Sequence, residues 1–184
     1  MSMKVIGVVG LPASGKGEFS KIAADTGICV IVMGDRIRAA ALKAGLEPTD
    51  ANLGATANRL RAENGMDAIA ALCVPEIKRQ TAPLVLIDGI RGDAEVRLFR
   101  KHFPAFTLIS IDSSFEKRLD RIRTRGRSDD FVLPESLRAR DEREMNWGLL
   151  NALAEADIRI KNEGSLEDFS KAVISVLSSL GRDP

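Results

Sequence analysis

Eight consecutive residues, Gly10-Leu11-Pro12-Ala13-Ser14-Gly15-Lys16-Gly17, stand between an apolar run, Val5 to Val9, and a helical pattern with Phe19, Ile22 and Ala23 on one face. Glycines let successive backbone N–H groups curl toward one point, and a helix N-terminus adds the positive end of its dipole. Such a loop is suited to phosphate oxygens, with the Lys16 ammonium reaching the β- and γ-phosphates of a nucleotide. The coincidence of strand, loop, lysine and helix separates the run from an ordinary glycine turn. One position departs from the usual form: a Ser or Thr hydroxyl for Mg²⁺ is expected after the lysine, and here the residue is Gly17. Glu18 follows, a carboxylate beside the phosphates.

A second group begins where Leu84-Val85-Leu86-Ile87 ends in Asp88, the arrangement that puts a carboxylate near Mg²⁺ at the end of a buried strand. The competing reading of Asp88 is a turn-forming or capping acid. A third is the alternation Arg121, Arg123, Arg125 and Arg127, followed by Ser128-Asp129-Asp130. Clustered guanidiniums stabilise charge during phosphoryl transfer, although these could equally form a solvated face paired with the two aspartates.

The elements that must position these groups alternate from end to end. Strands are expected at Val5 to Val9, Cys29 to Met33, Leu84 to Ile87, Phe106 to Ile111 and Ile158 to Ile160. Helical patterns fill the gaps. The stretch from 34 to 81 is broken at Gly45-Leu46-Glu47-Pro48 and near Gly65, a long polar helix starts at Glu135, and a last helix carries Leu166, Phe169, Val173, Leu177 and Leu180. Strands that are apolar throughout and separated by helices imply an α/β fold, a parallel sheet covered on both faces.

A chain of 184 residues reads as one domain spanning 1–184, with excursions at 34–81 and 125–140. A net charge of +1 does not advertise DNA, RNA or a membrane surface, so an anion site must come from local clustering. Cys29 and Cys73, without a CxxC or His cluster, read as buried thiols rather than zinc ligands. The expected compartment is cytoplasmic, with no signal peptide and no run of membrane-spanning length. A monomer is the default.

These motifs, in order, resemble the nucleoside monophosphate kinases, the adenylate kinase group, in which Gly-Lys-Gly is followed by Thr where this chain has Glu18. Over nearly the whole chain the sequence is similar to an archaeal family of adenylate-kinase-related proteins with the same short lid and Gly-Lys-Gly-Glu loop. The resemblance implies a three-layer P-loop fold, a five-stranded parallel sheet ordered 2-3-1-4-5, and nucleotide sites at the carboxyl ends of the strands. It also assigns roles. Asp88-Gly89-Ile90-Arg91 resembles the Asp-Gly-Phe-Pro-Arg run without its proline, so Arg91 would grip the acceptor phosphate. Glu95 would read the acceptor, where the family has Gln or Asn; its alternative is a solvated helix residue near Arg97. Gly34, Asp35 and Arg38 resemble the Thr-Gly-Asp-x-x-Arg acceptor element, with Met33 in place of Thr.

By the same resemblance residues 125–140 form a short lid. Arg121 would stack on adenine, and Arg125 and Arg127 would neutralise the transferring group. The next lid arginine is Arg138 by strict spacing or Arg140 by helix match, and the helix match is favoured. The turn at Gly164, similar to that of dephospho-coenzyme A kinases as well, would lie against the adenine; a plain strand-to-helix connection explains it equally. Trp147 and His102 receive no chemistry.

The expectation is a kinase moving the γ-phosphoryl group of ATP, with Mg²⁺ held by Asp88 through water, to a nucleoside monophosphate-like acceptor. One rival is transfer to a hydroxyl, as in dephospho-coenzyme A kinases, with Asp35 as general base. Another is a nucleotide-binding regulatory ATPase or sensor in which Glu18 and the short lid mark lost transfer.

Overall fold

The computed structural model describes residues 3–125 and 133–181. Strand β1 (Lys4–Val9) reads KVIGVV, too apolar to leave either face wet, and it lies at the centre of the sheet. Its neighbours are β3 (Leu84–Asp88) on one side and β4 (Phe106–Asp112) on the other, with β2 (Cys29–Val32) and β5 (Ile158–Lys161) at the two edges. All four pairings are parallel and the order is β2-β3-β1-β4-β5, as the family resemblance implied.

Two-residue periodicity divides each strand between two cores. Ile6 and Val8 of β1 join Phe19, Ile22 and Ala23 of helix α1 (Lys16–Asp25) and Phe169, Val173 and Leu177 of the last helix, α9 (Leu166–Gly181). Val5 and Val9 point the other way. There they meet Ile69, Cys73 and Ile77 of α4 (Ala68–Lys78), Val96 and Phe99 of α5 (Asp93–His102), and Leu149 and Ala152 of α8 (Leu149–Ala154). Cys73 is fully buried, which pushes its thiol up to about 11, whereas Cys29 is half-buried at the sheet edge, its thiol donating to Gln80 Oε1.

Two helices, α2 (Gly34–Lys43) and α3 (Asp50–Asn64), follow β2, and α3 is capped by the Thr49 hydroxyl accepting from the Asn52 N–H. Farther along the chain, α6 (Phe115–Arg125) and α7 (Pro134–Met145) share a small apolar contact of Leu119, Ile122 and Leu137. The polar helix expected from Glu135 ends at Met145. Gly148, at φ 90°, turns the chain into the apolar α8.

Among the described residues no helix is long and apolar enough to cross a membrane.

Candidate functional site

Each strand delivers its following loop to the same edge of the sheet, where β1 separates connections that cross in opposite directions. A cavity of about 940 Å³ opens there, lined from the loops after β1, β2, β3 and β5 and from α6 and α7. The loop after β1 forms its floor. Ala13 has φ 61°, the sole non-glycine left-handed residue among those described, and Gly15 has φ 118°. This backbone costs about 1 kcal/mol or more at Ala13, the kind of strain that persists when neighbours over-determine it.

The neighbours that fix the loop all bind its carbonyls. Arg118 Nη1 donates to Pro12 O at 3.1 Å, Asn162 Nδ2 to Ser14 O at 2.9 Å, and Arg121 Nη1 to Ala13 O and Ser14 O at 3.3 and 3.4 Å. With carbonyls drawn outward, the N–H groups at the start of α1, which have no intrahelical partner, are left for an anion. Arg118 is itself buried and clamped in two parallel bonds, at 2.8 and 2.7 Å, by Asp141 of α7. Helix α7 is therefore wired to the phosphate loop through one guanidinium.

Lys16 lies on the floor with its Nζ donating to Gly10 O at 2.6 Å and Leu11 O at 3.0 Å. Burial pushes its pKa down from 10.5 to about 7, aided by the Arg91 and Arg140 guanidiniums and opposed by the carboxylates of Glu144 and Asp88. Both arginines line the cavity. Glu144, one turn after Arg140 on α7, is 2% exposed, with Arg91 Nε 3.3 Å from Oε2 and Arg140 Nε 3.4 Å from Oε1. Burial alone would raise the Glu144 pKa, but Arg91, Lys16 and Arg140 together hold it below the usual value.

Asp88 also lines the cavity, and its Oδ2 accepts from the Ser20 hydroxyl at 2.8 Å. Gly17 provides no hydroxyl, yet the Ser20 oxygen, one turn further along α1, stands beside Asp88. A carboxylate and a hydroxyl next to a phosphate loop make an all-oxygen set of the kind Mg²⁺ takes with water and phosphate oxygens, so these residues fit the ion.

The residues expected from sequence are distributed as follows. Pro12, Ala13, Gly15, Lys16, Gly17, Glu18, Gly34, Arg38, Asp88, Arg91, Arg121, Arg140 and Gly164 line one cavity. Gly10, Leu11 and Ser14 lie in the same loop, with Ser14 buried. Of the two lid candidates, Arg140 faces the cavity while Arg138 lies over the Phe115 ring at 4.5 Å. Arg127 lies outside the described residues, as does the side chain of Arg125.

Glu95 requires a correction. It is neither at the acceptor surface nor in solvent but fully buried. Its Oε1 accepts from Arg61 Nη2 at 2.9 Å and its Oε2 from the Arg91 N–H at 2.7 Å. Burial raises its pKa, with Arg61 opposing. Each oxygen accepts a bond from the protein, so Glu95 holds the Arg91 backbone in place from inside the core. Arg121, which lines the cavity, has its guanidinium committed to Ser113 Oγ at 2.8 Å and Asn162 O at 2.5 Å as well as the loop. Asp35 is exposed and paired with Arg38 at 2.5 Å.

Five residues escaped the sequence reading: Glu144, Ser20, Arg118, Asn162 and Arg61. The only signal was weak. Glu144 and Arg140 are four apart, hence on one helix face. Trp147, expected only to pack, lines the cavity with its ring 4.3 Å beneath the Arg61 guanidinium and its Nε1–H donated to Asn58.

Comparison with known proteins agrees with this architecture. A family profile described as an AAA domain matches residues 6–146. A UPF0200 protein of Methanoregula boonei is 66% identical over 182 residues, covering 99% of this chain and 100% of that one. Another, from Methanosarcina mazei, is 51% identical over 178 residues, covering 96% and 95%. Among solved structures, TT1252 from Thermus thermophilus superposes with a TM-score of 0.71 at 19% identity, covering 99% of this chain and 100% of that one. A gluconokinase from Sinorhizobium meliloti gives 0.57 at 16% identity, covering 96% and 93%. A shikimate kinase from Aquifex aeolicus gives 0.54 at 17% identity, covering 95% and 96%. At these identities the structural likeness shows a P-loop kinase-like fold.

Proposed function

The chain belongs to the UPF0200 family and carries the AAA domain, and from that premise we propose an ATP-dependent phosphotransferase whose acceptor is a small phosphate-bearing molecule of the nucleoside monophosphate kind. The observation that carries this reading is the convergence of Lys16, Arg91 and Arg140, from three separate elements, on one cavity that also contains Asp88. Arg91 adds a buried Nη1 with no hydrogen-bond partner among the described residues.

In this mechanism Lys16 and the loop amides hold the β- and γ-phosphates of ATP. Arg91 and Arg38 hold the acceptor phosphate in line with the γ-phosphorus, and Arg140 covers the opposite side. An acceptor oxygen bonds to the γ-phosphorus as the bond to the β–γ bridging oxygen breaks, and ADP leaves with that oxygen. Mg²⁺, held by Asp88 with the Ser20 hydroxyl beside it, would supply positive charge to the β and γ oxygens. A phosphate acceptor, with a second pKa of about 6, is already largely dianionic at neutral pH and needs no general base. A hydroxyl acceptor does need one. Asp35, the acid suited to that task by resemblance, is exposed and bound to Arg38, and this favours the phosphate acceptor.

The test is a panel assay of ATP with each nucleoside monophosphate, dephospho-coenzyme A or water, with ADP release and product identity measured. Transfer to a monophosphate is the expected result. Transfer to dephospho-coenzyme A alone would replace the acceptor assignment, and tight ATP binding without transfer would support a sensor in which Glu18 opposes turnover.

A further inference from the structure

A buried carboxylate is electrostatically out of place beside a site built for polyphosphate, and Glu144 is such a carboxylate. It is 2% exposed on α7, within ion-pair distance of Arg91 from the loop after β3 and of Arg140 on its own helix. Those two arginines are separated by 49 positions along the chain and come from different parts of the fold, the loop after β3 and α7, yet both line the cavity. No hydrogen-bond donor among the described residues is aligned on Glu144 Oε2, so this oxygen acts on Arg91 through charge and distance rather than through a directed bond.

We propose that Glu144 is the positioning residue of the transfer site, the carboxylate that holds Arg91 and Arg140 side by side in the cavity before any ligand arrives. The role rests on the phosphotransferase reading above. Three cations, Lys16, Arg91 and Arg140, face one another here, and without an anion they would repel. Each long arginine also carries rotamer freedom of about 2 kcal/mol that must otherwise be given up when substrate binds. Glu144 relieves the repulsion and fixes both guanidiniums in advance. Because Arg140 and Glu144 are four residues apart on a rigid helix that Asp141 anchors to Arg118, the arrangement is tied to the phosphate loop itself.

Glu144→Gln keeps the side chain's size and removes its charge, and Glu144→Asp keeps the charge at a shorter reach. Removing a negative charge beside the phosphates should leave ATP affinity equal or tighter at any pH low enough to keep Lys16 protonated in both proteins. Misplacing the arginines should lower kcat on the best phosphate acceptor by on the order of 10- to 100-fold in Glu144→Gln, with a smaller loss in Glu144→Asp. A general loss of folded protein would instead lower both ATP binding and kcat, and Tm would report it.

ATP titrations by calorimetry between pH 6.5 and 9 supply a readout that needs no turnover. The groups facing Lys16 are Arg91, Glu144, Asp88 and Arg140, and Glu144 is one of the two that raise its pKa. In the parent, ATP affinity should fall as pH rises past about 7, and in Glu144→Gln this decline should begin at lower pH. Glu144→Asp should restore the parental onset. An unchanged or higher kcat in Glu144→Gln, or an onset that does not move, would overturn the assignment. If the parent transfers phosphate to no acceptor, the phosphotransferase reading fails separately, and the position of the onset still decides for or against Glu144.

Discussion

Replacing Lys16 by Met should make the protein more stable at mildly acidic pH while it loses ATP binding. The ammonium is buried and its pKa falls from 10.5 to about 7, so the folded state holds the charged form against burial and against Arg91. A displacement of that size corresponds to about 5 kcal/mol at any pH below 7, at 1.36 kcal/mol per pKa unit. Met removes this cost but also removes two bonds to the carbonyls of Gly10 and Leu11, together worth about 2–4 kcal/mol with a charged donor. The balance is a gain of about 1–3 kcal/mol at pH 6.5, or roughly 3–8 °C in Tm for a chain of this length. Because the folded pKa is the lower one, the unfolded parent binds more protons between pH 7 and 10.5, and parent stability rises with pH across that window. The advantage of Lys16→Met should therefore shrink above pH 7 and vanish between about pH 8 and 9, leaving the parent the more stable at pH 9.5. Thermal melts of both proteins at pH 6.5, 8 and 9.5, with and without ATP, measure all of this. ATP should raise only the parental Tm. A Lys16→Met protein less stable than the parent at pH 6.5, or a Tm difference independent of pH, would refute the reasoning.

Arg91→Ala should lose about 10- to 150-fold in kcat/KM on a phosphate acceptor, the worth of one charged hydrogen-bonding partner, while Asp35→Asn should cost less. Steady-state kinetics showing the larger kcat loss in Asp35→Asn would point to a hydroxyl acceptor. Glu18→Thr removes a carboxylate from the cavity wall and should tighten ATP binding by calorimetry with equal or higher turnover; a clear drop in turnover would make Glu18 a working part. Asp141→Ala strands the buried Arg118 guanidinium and should cost about 3–5 kcal/mol, read in urea as a lower midpoint with an unchanged slope. A loss below about 1 kcal/mol would show that Arg118 finds another partner.

The strands and their parallel pairing were legible because burial on both faces leaves a continuous apolar signature, as in Val5 to Val9 and Leu84 to Ile87, and helices between strands require parallel crossovers, whereas the strand order was implied by the family resemblance. The phosphate loop was legible because local backbone chemistry, glycines before a lysine at a helix start, is itself the function. Its neighbourhood was not. Arg118, Asn162 and Asp141 hold the loop from 20 or more residues away in sequence from one another or over 100 from the loop, and nothing in an arginine-rich helix tells a clamped guanidinium from a solvated one. Glu95 shows the same limit from the other side. The family resemblance implied ligand contact there, but the fold supplies Arg61 from α3 and buries the pair. Sequence by itself determined which backbone segments meet at the sheet edge, since periodicity and turn residues are local properties. Only the tertiary structure decided which charges lose their water, and a carboxylate such as Glu144 acquires its role through that desolvation and through partners brought from other elements.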